Sequence, residues 1–287
     1  MKMIDEKQIP ATIAQLLDQI KGEEREKSFV KELETLLMPL SKNLTPKEIA
    51  KLRIIIPTKE EFQMVGTPIL EKVVRGLHLY WKQHEVNFPY KLLKELWNNR
   101  YHEYKVIVAK VLEKLGKNYP LEVLEFIEER IQDIDVWDIS DQLAMFGTRQ
   151  IVFKHPEIIL PYSQRWVRSD LKWSQRLGVT IWIVLSREKK FELDQSAFEP
   201  VAKIIDVVVN SEDADVSKGV SWTLRELTKK NPELIFKYIL SKTPPENRKI
   251  AKTLRDGAKK LPNEMNKKLK NVLSIKGSQY CSRERKN

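Results

Sequence analysis

Two patterns in the chain carry residue types suited to chemistry. The first is Trp137-Asp138-Ile139-Ser140-Asp141. On a helix Trp137 and Asp141, four apart, share one face, while Asp138 lies about 100° away and serves another role. The second is a pair of Trp/Arg segments, Lys172-Trp173-Ser174-Gln175-Arg176 and Lys218-Gly219-Val220-Ser221-Trp222-Thr223-Leu224-Arg225. Trp137, Asp141, Arg176 and Trp222 on one face would supply aromatic platforms, one carboxylate and a guanidinium able to grip a phosphate. Each residue also has a plainer reading. A Trp on a helix is most often core, an Asp near a helix start often caps it, and a single Arg is most often a surface charge. Only the combination points to a site.

Other chemistries are excluded by what is missing. There is no GxGxxG and no G-x4-GK[ST], and the Gly116-Lys117 pair is followed by Asn118. The four histidines (His78, His84, His102, His155) lack ligand spacing and no CxxC occurs, so neither a metal nor a cofactor is expected. The one cysteine, Cys281, cannot form a disulfide within the chain, which points to a reducing compartment. The start MKMIDEKQIPATIAQ has no apolar core of a signal peptide, and the longest apolar run, around 177–185, is too short to span a bilayer. A cytoplasmic protein away from membranes is expected.

The elements that must position these residues read as helices. Apolar residues recur three and four apart through Phe29, Leu33, Leu36, Leu37 and Leu40, and again through Leu92, Leu93, Leu96 and Trp97. Breaks fall at Tyr119-Pro120, His155-Pro156, Asn231-Pro232 and Pro244-Pro245. The best strand candidates, Ile54–Ile56 and Ile204–Val209, are short and also fit buried helix turns. Four segments share a layout, starting at Tyr101, Val136, Lys172 and Asp215, that is 35, 36 and 43 residues apart. Each reads as the second helix of a pair whose first members are 90–98, 121–131, 156–167 and 198–208. Pairs at that spacing predict an all-α, HEAT-like solenoid of antiparallel helix pairs with a concave face built from the second helices.

Composition agrees. The chain has 287 residues, 41% hydrophobic and 32% charged, with only 9 glycines. That is a globular composition large enough for a core without disulfides or metals, and poor in the turns of all-β folds. The net charge is +11. From Ser241 to the end, 14 Lys/Arg stand against 4 Asp/Glu, so nearly all the surplus lies there. It reads equally as a solvated tail or as an anchor for a polyanion such as nucleic acid.

At these residues the chain resembles the DNA alkylation-repair glycosylases built from HEAT-like repeats, the AlkD family. The resemblance runs over about residues 60–260 and rests on EFQMVGTP, LWNNRYHEYKVIVAKVLEKL, WDISD, FKHPEIILPYSQRWVRSDLKWSQRLGV and KGVSWTLRELTKKNPELIFKYI. It implies that Asp141 is the catalytic carboxylate and that Trp137 and Trp222 flank the sugar. It implies that Arg176 holds the DNA backbone, with Trp173, Lys172, Lys218 and Arg225 beside it on a basic DNA-binding face. Val136 stands where the family often has a second aromatic, and residues 1–45 and the basic tail depart from it. The organisation it suggests is an N-terminal helical extension or cap (1–45), a repeat domain (46–262) and a basic, disordered tail (263–287). A final basic helix is expected at 248–260, possible extension through 267–270 included.

The activity the resemblance implies is hydrolysis of the N-glycosidic bond of N3- or N7-alkylated purines in duplex DNA, by a monomer. Such a base is cationic and leaves neutral, so one carboxylate suffices where ordinary glycosidases need two. The alternatives are a HEAT-like module that binds DNA without catalysis and a protein scaffold. The absence of an LPGVG-like hairpin argues against helix-hairpin-helix glycosylases.

Overall fold

In the computed structural model, residues 5–273 are described. They are helical apart from turns and one isolated bridge between Glu61 and Tyr101. They divide into two compact units at His155/Pro156.

The first unit holds α1 (Ile9–Gln19), α2 (Arg25–Leu37), α3 (Pro46–Ile55), α4 (Thr67–Gln83), α5 (Tyr90–Trp97), α6 (His102–Leu115), α7 (Pro120–Arg130), α8 (Trp137–Gln142) and α9 (Arg149–Lys154). Helix α4 packs on α1 and α6, and α6 packs on α5, α7 and α8. Helices α1 and α2, in the segment expected as an N-terminal extension or cap, lie within this unit. Ile9, Ile13 and Leu17 of α1 and Phe29, Leu33 and Leu37 of α2 are buried. The reason is their three-four spacing, which gives each helix one apolar stripe that must be covered.

Helix α6 is enclosed on nearly all sides, and its ionisable residues are enclosed with it. Glu103 accepts from the backbone amides of Gln63 (3.0 Å) and Met64 (2.7 Å). Lys105 pairs with Glu60, and Lys110 with Glu71 at 3.1 Å. A buried charge without such a partner would cost several kcal/mol, so the contacts of Glu103 and Lys105 fix the 57–66 loop against α6, and that of Lys110 ties α6 to α4. Met64, at φ +64°, is one of two non-glycine residues in the left-handed region among the described residues.

The second unit holds α10 (Pro156–Trp166), α11 (Lys172–Thr180), α12 (Gln195–Val208), α13 (Ala214–Leu227), α14 (Pro232–Ser241), α15 (Arg248–Gly257) and α16 (Asn263–Leu273). Helices α11, α13 and α15 pack side by side in a row, with α10 on α11 and both α12 and α14 on α13. These are successive helix pairs, as the repeat spacing predicted. Pro120, Pro156 and Pro232 open helices, because a first-turn proline needs no amide partner.

Two expectations change. Ile54 and Ile55 end α3 but are not buried: they are 81% and 60% exposed. The 263–273 part of the expected disordered tail is the helix α16, because Leu269 and Leu273 are buried and α16 packs on α14 and α15. The rest of that tail, with Cys281, lies outside the described residues. No helix among those described is long and apolar enough to cross a membrane.

Candidate functional site

The Trp-Asp pentad occupies α8, a helix of six residues. Val136 precedes it in extended conformation, so Trp137 is the first helical residue and Asp138 lies in the first turn. The helix passes at Leu143–Gly147 into a π turn, where Thr148 N donates to Leu143 O at 2.9 Å. Such single π turns are frequent at functional sites. Asp141 is thus the fifth helical residue, not a cap, and it is 9% exposed.

Two members of the pentad, Trp137 and Asp138, are fixed from outside the helix. The Trp137 indole Nε1 donates to the carbonyl of Ile55 at 2.8 Å, while the side chain stays partly exposed. Asp138 takes up His102, with Nε2 and Oδ2 2.9 Å apart. The other ring nitrogen of His102 faces Glu60 at 3.5 Å. Burial opposes charging this imidazole, but the hydrogen bonds and charges of Asp138 and Glu60 outweigh it and raise its pKa to about 9. His102 is therefore an imidazolium at neutral pH, between two carboxylates. Asp135, just before the helix, accepts from Thr58 Oγ1 at 3.0 Å and from the Lys59 amide at 2.5 Å.

His102, Glu60, Thr58, Asp135 and Ile55 were not foreseen as part of this surrounding. One signal did point to His102. It stands 36 residues before Asp138, the spacing of the repeat, and residues one repeat apart sit side by side on adjacent helices.

In the second unit, α11 carries Lys172, Trp173 and Arg176, and α13 carries Lys218, Trp222 and Arg225. Asp215 draws several together. Its carboxylate pairs with Lys172 at 3.3 Å and Lys218 at 3.1 Å, and its carbonyl accepts from Arg176 Nη1 at 2.6 Å. Burial works against ionisation of Asp215, yet the two lysines outweigh it and hold its carboxyl below the usual range. Arg176 is 6% exposed and lies under Gly219, where a Cβ would stand 3.3 Å from Arg176 Cγ. Lys218, Trp222 and Arg225 follow one another at four and three residues, so they share a stripe of α13. Trp222 is partly exposed. Arg225 Nη1 donates to the Asp256 carbonyl at 3.2 Å.

Trp173 does not offer an open face. It is 8% exposed, and Lys172 Nζ lies 4.3 Å from its ring centroid. It is turned inward together with Arg176, whereas Lys172 beside it stays exposed.

Among the described residues no group of three or more His, Cys, Asp or Glu could hold a metal ion. The chain matches the family model described as DNA alkylation repair enzyme over residues 36–261. Several solved structures are similar in fold, three of them as follows. A predicted DNA alkylation repair enzyme from Enterococcus faecalis is 18% identical, with a TM-score of 0.60 over 78% of this chain and 99% of the other. AlkD2 from Streptococcus mutans is 17% identical, with a TM-score of 0.53 over 75% and 98%. The smu.31 protein from Streptococcus mutans UA159 is 17% identical, with a TM-score of 0.51 over 67% and 100%. No curated protein matches the chain. At these identities the likeness to the structures is one of fold, whereas the family match spans most of the sequence: the chain belongs to the DNA alkylation repair enzyme family.

Proposed function

We propose that the protein is a monofunctional DNA glycosylase that hydrolyses the N-glycosidic bond of cationic N3- and N7-alkylated purines in duplex DNA. The observation that carries this reading is the division of labour within α8. Asp138 is committed to His102, while Asp141 lies four residues on from Trp137, one turn along the helix.

An alkylated purine of this kind already bears the positive charge that an acid catalyst would otherwise supply. As the bond from C1′ to the base nitrogen breaks, its electron pair goes to the base, which leaves neutral. Positive charge develops on the deoxyribose. Asp141 stabilises that charge and positions a water, whose oxygen bonds to C1′ and whose proton is lost to solvent. The Trp137 face adds cation–π stabilisation. In the second unit Arg176 holds a phosphate and Trp222 packs on the sugar, with Lys172, Lys218 and Arg225 adding positive charge. Trp173 supports these from within. Neutral lesions, whose bonds are not weakened, are poor substrates. The enzyme acts as a cytoplasmic monomer.

Release of N7-methylguanine and N3-methyladenine from methylated duplex DNA tests the reading, with Asp141→Asn beside wild type. Wild type releases both. The variant loses at least two orders of magnitude in rate, the scale expected for removing one charge-stabilising group, and keeps duplex affinity within about threefold. Wild-type rates in the variant would refute the assignment of Asp141. No release by wild type, with duplex binding kept, would make the chain a DNA-binding module.

A further inference from the structure

Helix α3 is well formed yet gives nothing to the core. Thr45 and Glu48 make a reciprocal cap: the Thr45 amide donates to Glu48 at 2.8 Å and the Glu48 amide to Thr45 Oγ1 at 3.4 Å. No residue of the helix is buried. Its last turn instead presents Ile54 and Ile55 to solvent, at 81% and 60% exposure. Ile54 is the most exposed of the large apolar side chains described, and placing two together in water is a cost with no return inside the fold.

Two observations say what meets them. The first is position. The Ile55 carbonyl holds the Trp137 indole at 2.8 Å, so the end of α3 and the tryptophan of the pentad form one rigid corner. The second is charge. From Lys42 to Glu60 the chain has Lys42, Lys47, Lys51, Arg53 and Lys59 against Glu48 and Glu60. Glu48 is used in the cap, and Glu60 pairs with Lys105 and faces His102. Lys42, Lys47, Lys51 and Lys59 are exposed. An apolar tip flanked along the chain by exposed cations suits a polyanion with apolar edges between its charges, which describes a nucleic-acid groove.

We propose that the Ile54–Ile55 tip is a DNA-contacting element that packs against the sugars and base edges beside the damaged nucleotide, while the surrounding lysines meet the flanking phosphates. It rests on the reading of Trp137 as a residue that faces the sugar. Apolar contact there discriminates distorted DNA. A lesion or an abasic site opens the stack and exposes apolar surface that intact duplex hides, so the tip adds affinity only for the damaged form. The lysines add affinity for any duplex.

The test uses the full chain with Ile54→Ser/Ile55→Ser and, separately, Ile55→Asp. Circular dichroism and thermal unfolding of the serine variant match wild type, because both side chains lie in solvent. Affinity is measured for a duplex bearing a tetrahydrofuran abasic mimic and for the same duplex intact. Both variants lose at least tenfold in affinity for the abasic duplex. The serine variant changes less than twofold on intact DNA, and Lys51→Gln weakens both duplexes alike. Equal affinity of wild type and serine variant for the abasic duplex overturns the proposal. So does a wild-type dimer that the serine variant converts to a monomer in sedimentation, since the tip would then be a self-association face. The binding assay is independent of excision. Wild type that excises nothing while the tip still selects abasic DNA refutes the glycosylase reading and keeps the tip, and excision with no effect of the tip refutes the tip alone.

Discussion

At the residue scale the molecule sorts two carboxylates of one pentad by what surrounds them. Asp138 faces an imidazolium, and that imidazolium faces Glu60 in turn, with Lys105 completing the cluster. The consequence is a pH dependence with a definite sign. The His102 pKa rises from its ordinary 6.5 to about 9 in the folded chain. A raised folded pKa means its contribution is fully present below about 6.5 and is lost as pH rises through about 9. The upper bound is about 3 kcal/mol, from 1.36 kcal/mol per pKa unit. Urea unfolding between pH 6 and pH 10 will show wild type losing stability over that range. His102→Gln will lie below wild type at pH 6 and lack most of the slope. Burial also raises the phenols of Tyr104 and Tyr238, whose own loss of stability sets in as pH nears their ordinary value of 10, so the His102 slope is read below about pH 9.

Helices meet at glycines, and two of these separate stability from function at the scale of the element. In α11 a Cβ on Gly178 would come within 2.8 Å of Val167 Cγ1 and 3.0 Å of the Ser163 carbonyl. Backbone cannot give way cheaply. Gly178→Ala therefore costs about 2 kcal/mol in denaturant unfolding, the overpacking outweighing the gain in helix propensity. In α13 a Cβ on Gly219 would meet side chains only, Arg176 Cγ and Thr180 Cγ2, both at 3.3 Å. There the propensity gain of up to about 1 kcal/mol offsets the crowding. Gly219→Ala keeps its melting temperature within a few degrees but displaces Arg176. Its duplex affinity falls several-fold, as measured by fluorescence anisotropy. A variant with unchanged affinity would show that Arg176 does not meet the DNA.

For the whole molecule the question is what the basic C-terminal end does. Removing everything after Leu240 is not a clean test of its charge. Ile250, Ala251 and Leu254 of α15 are buried, and Gly257 sits where a Cβ would be 2.9 Å from Leu224 of α13. That cut exposes the α13 face and unfolds the second unit, which a loss of far-UV helicity and cooperative melting will reveal. A cut after Leu273 spares α15 and α16 and removes Lys276, Arg283, Arg285 and Lys286 against Glu284. If these grip phosphates, the dependence of log affinity on log salt flattens by up to about three, since each phosphate contact contributes about 0.9. An unchanged slope means they are merely solvated.

The helical period alone determined the fold class, because one apolar stripe per helix demands a partner wherever it occurs. It placed the pairs α5/α6, α7/α8, α10/α11 and α12/α13 to within a few residues, with the prolines marking where helices begin. The pentad and the Trp/Arg segments were likewise legible as spacing. Tertiary structure decided the rest. Nothing in HEYKVIVAKV says that its four charged residues are all enclosed, since their partners come from distant loops and helices: Glu60, Gln63, Met64, Glu71 and Asp138. Likewise Ile54 and Ile55 read as a short strand or a buried helix turn by hydrophobicity, while the packing leaves them in water. Periodicity ranks residues by what they would prefer, but burial is set by which surfaces the neighbouring helices cover, and at a site that contacts a partner the two part company.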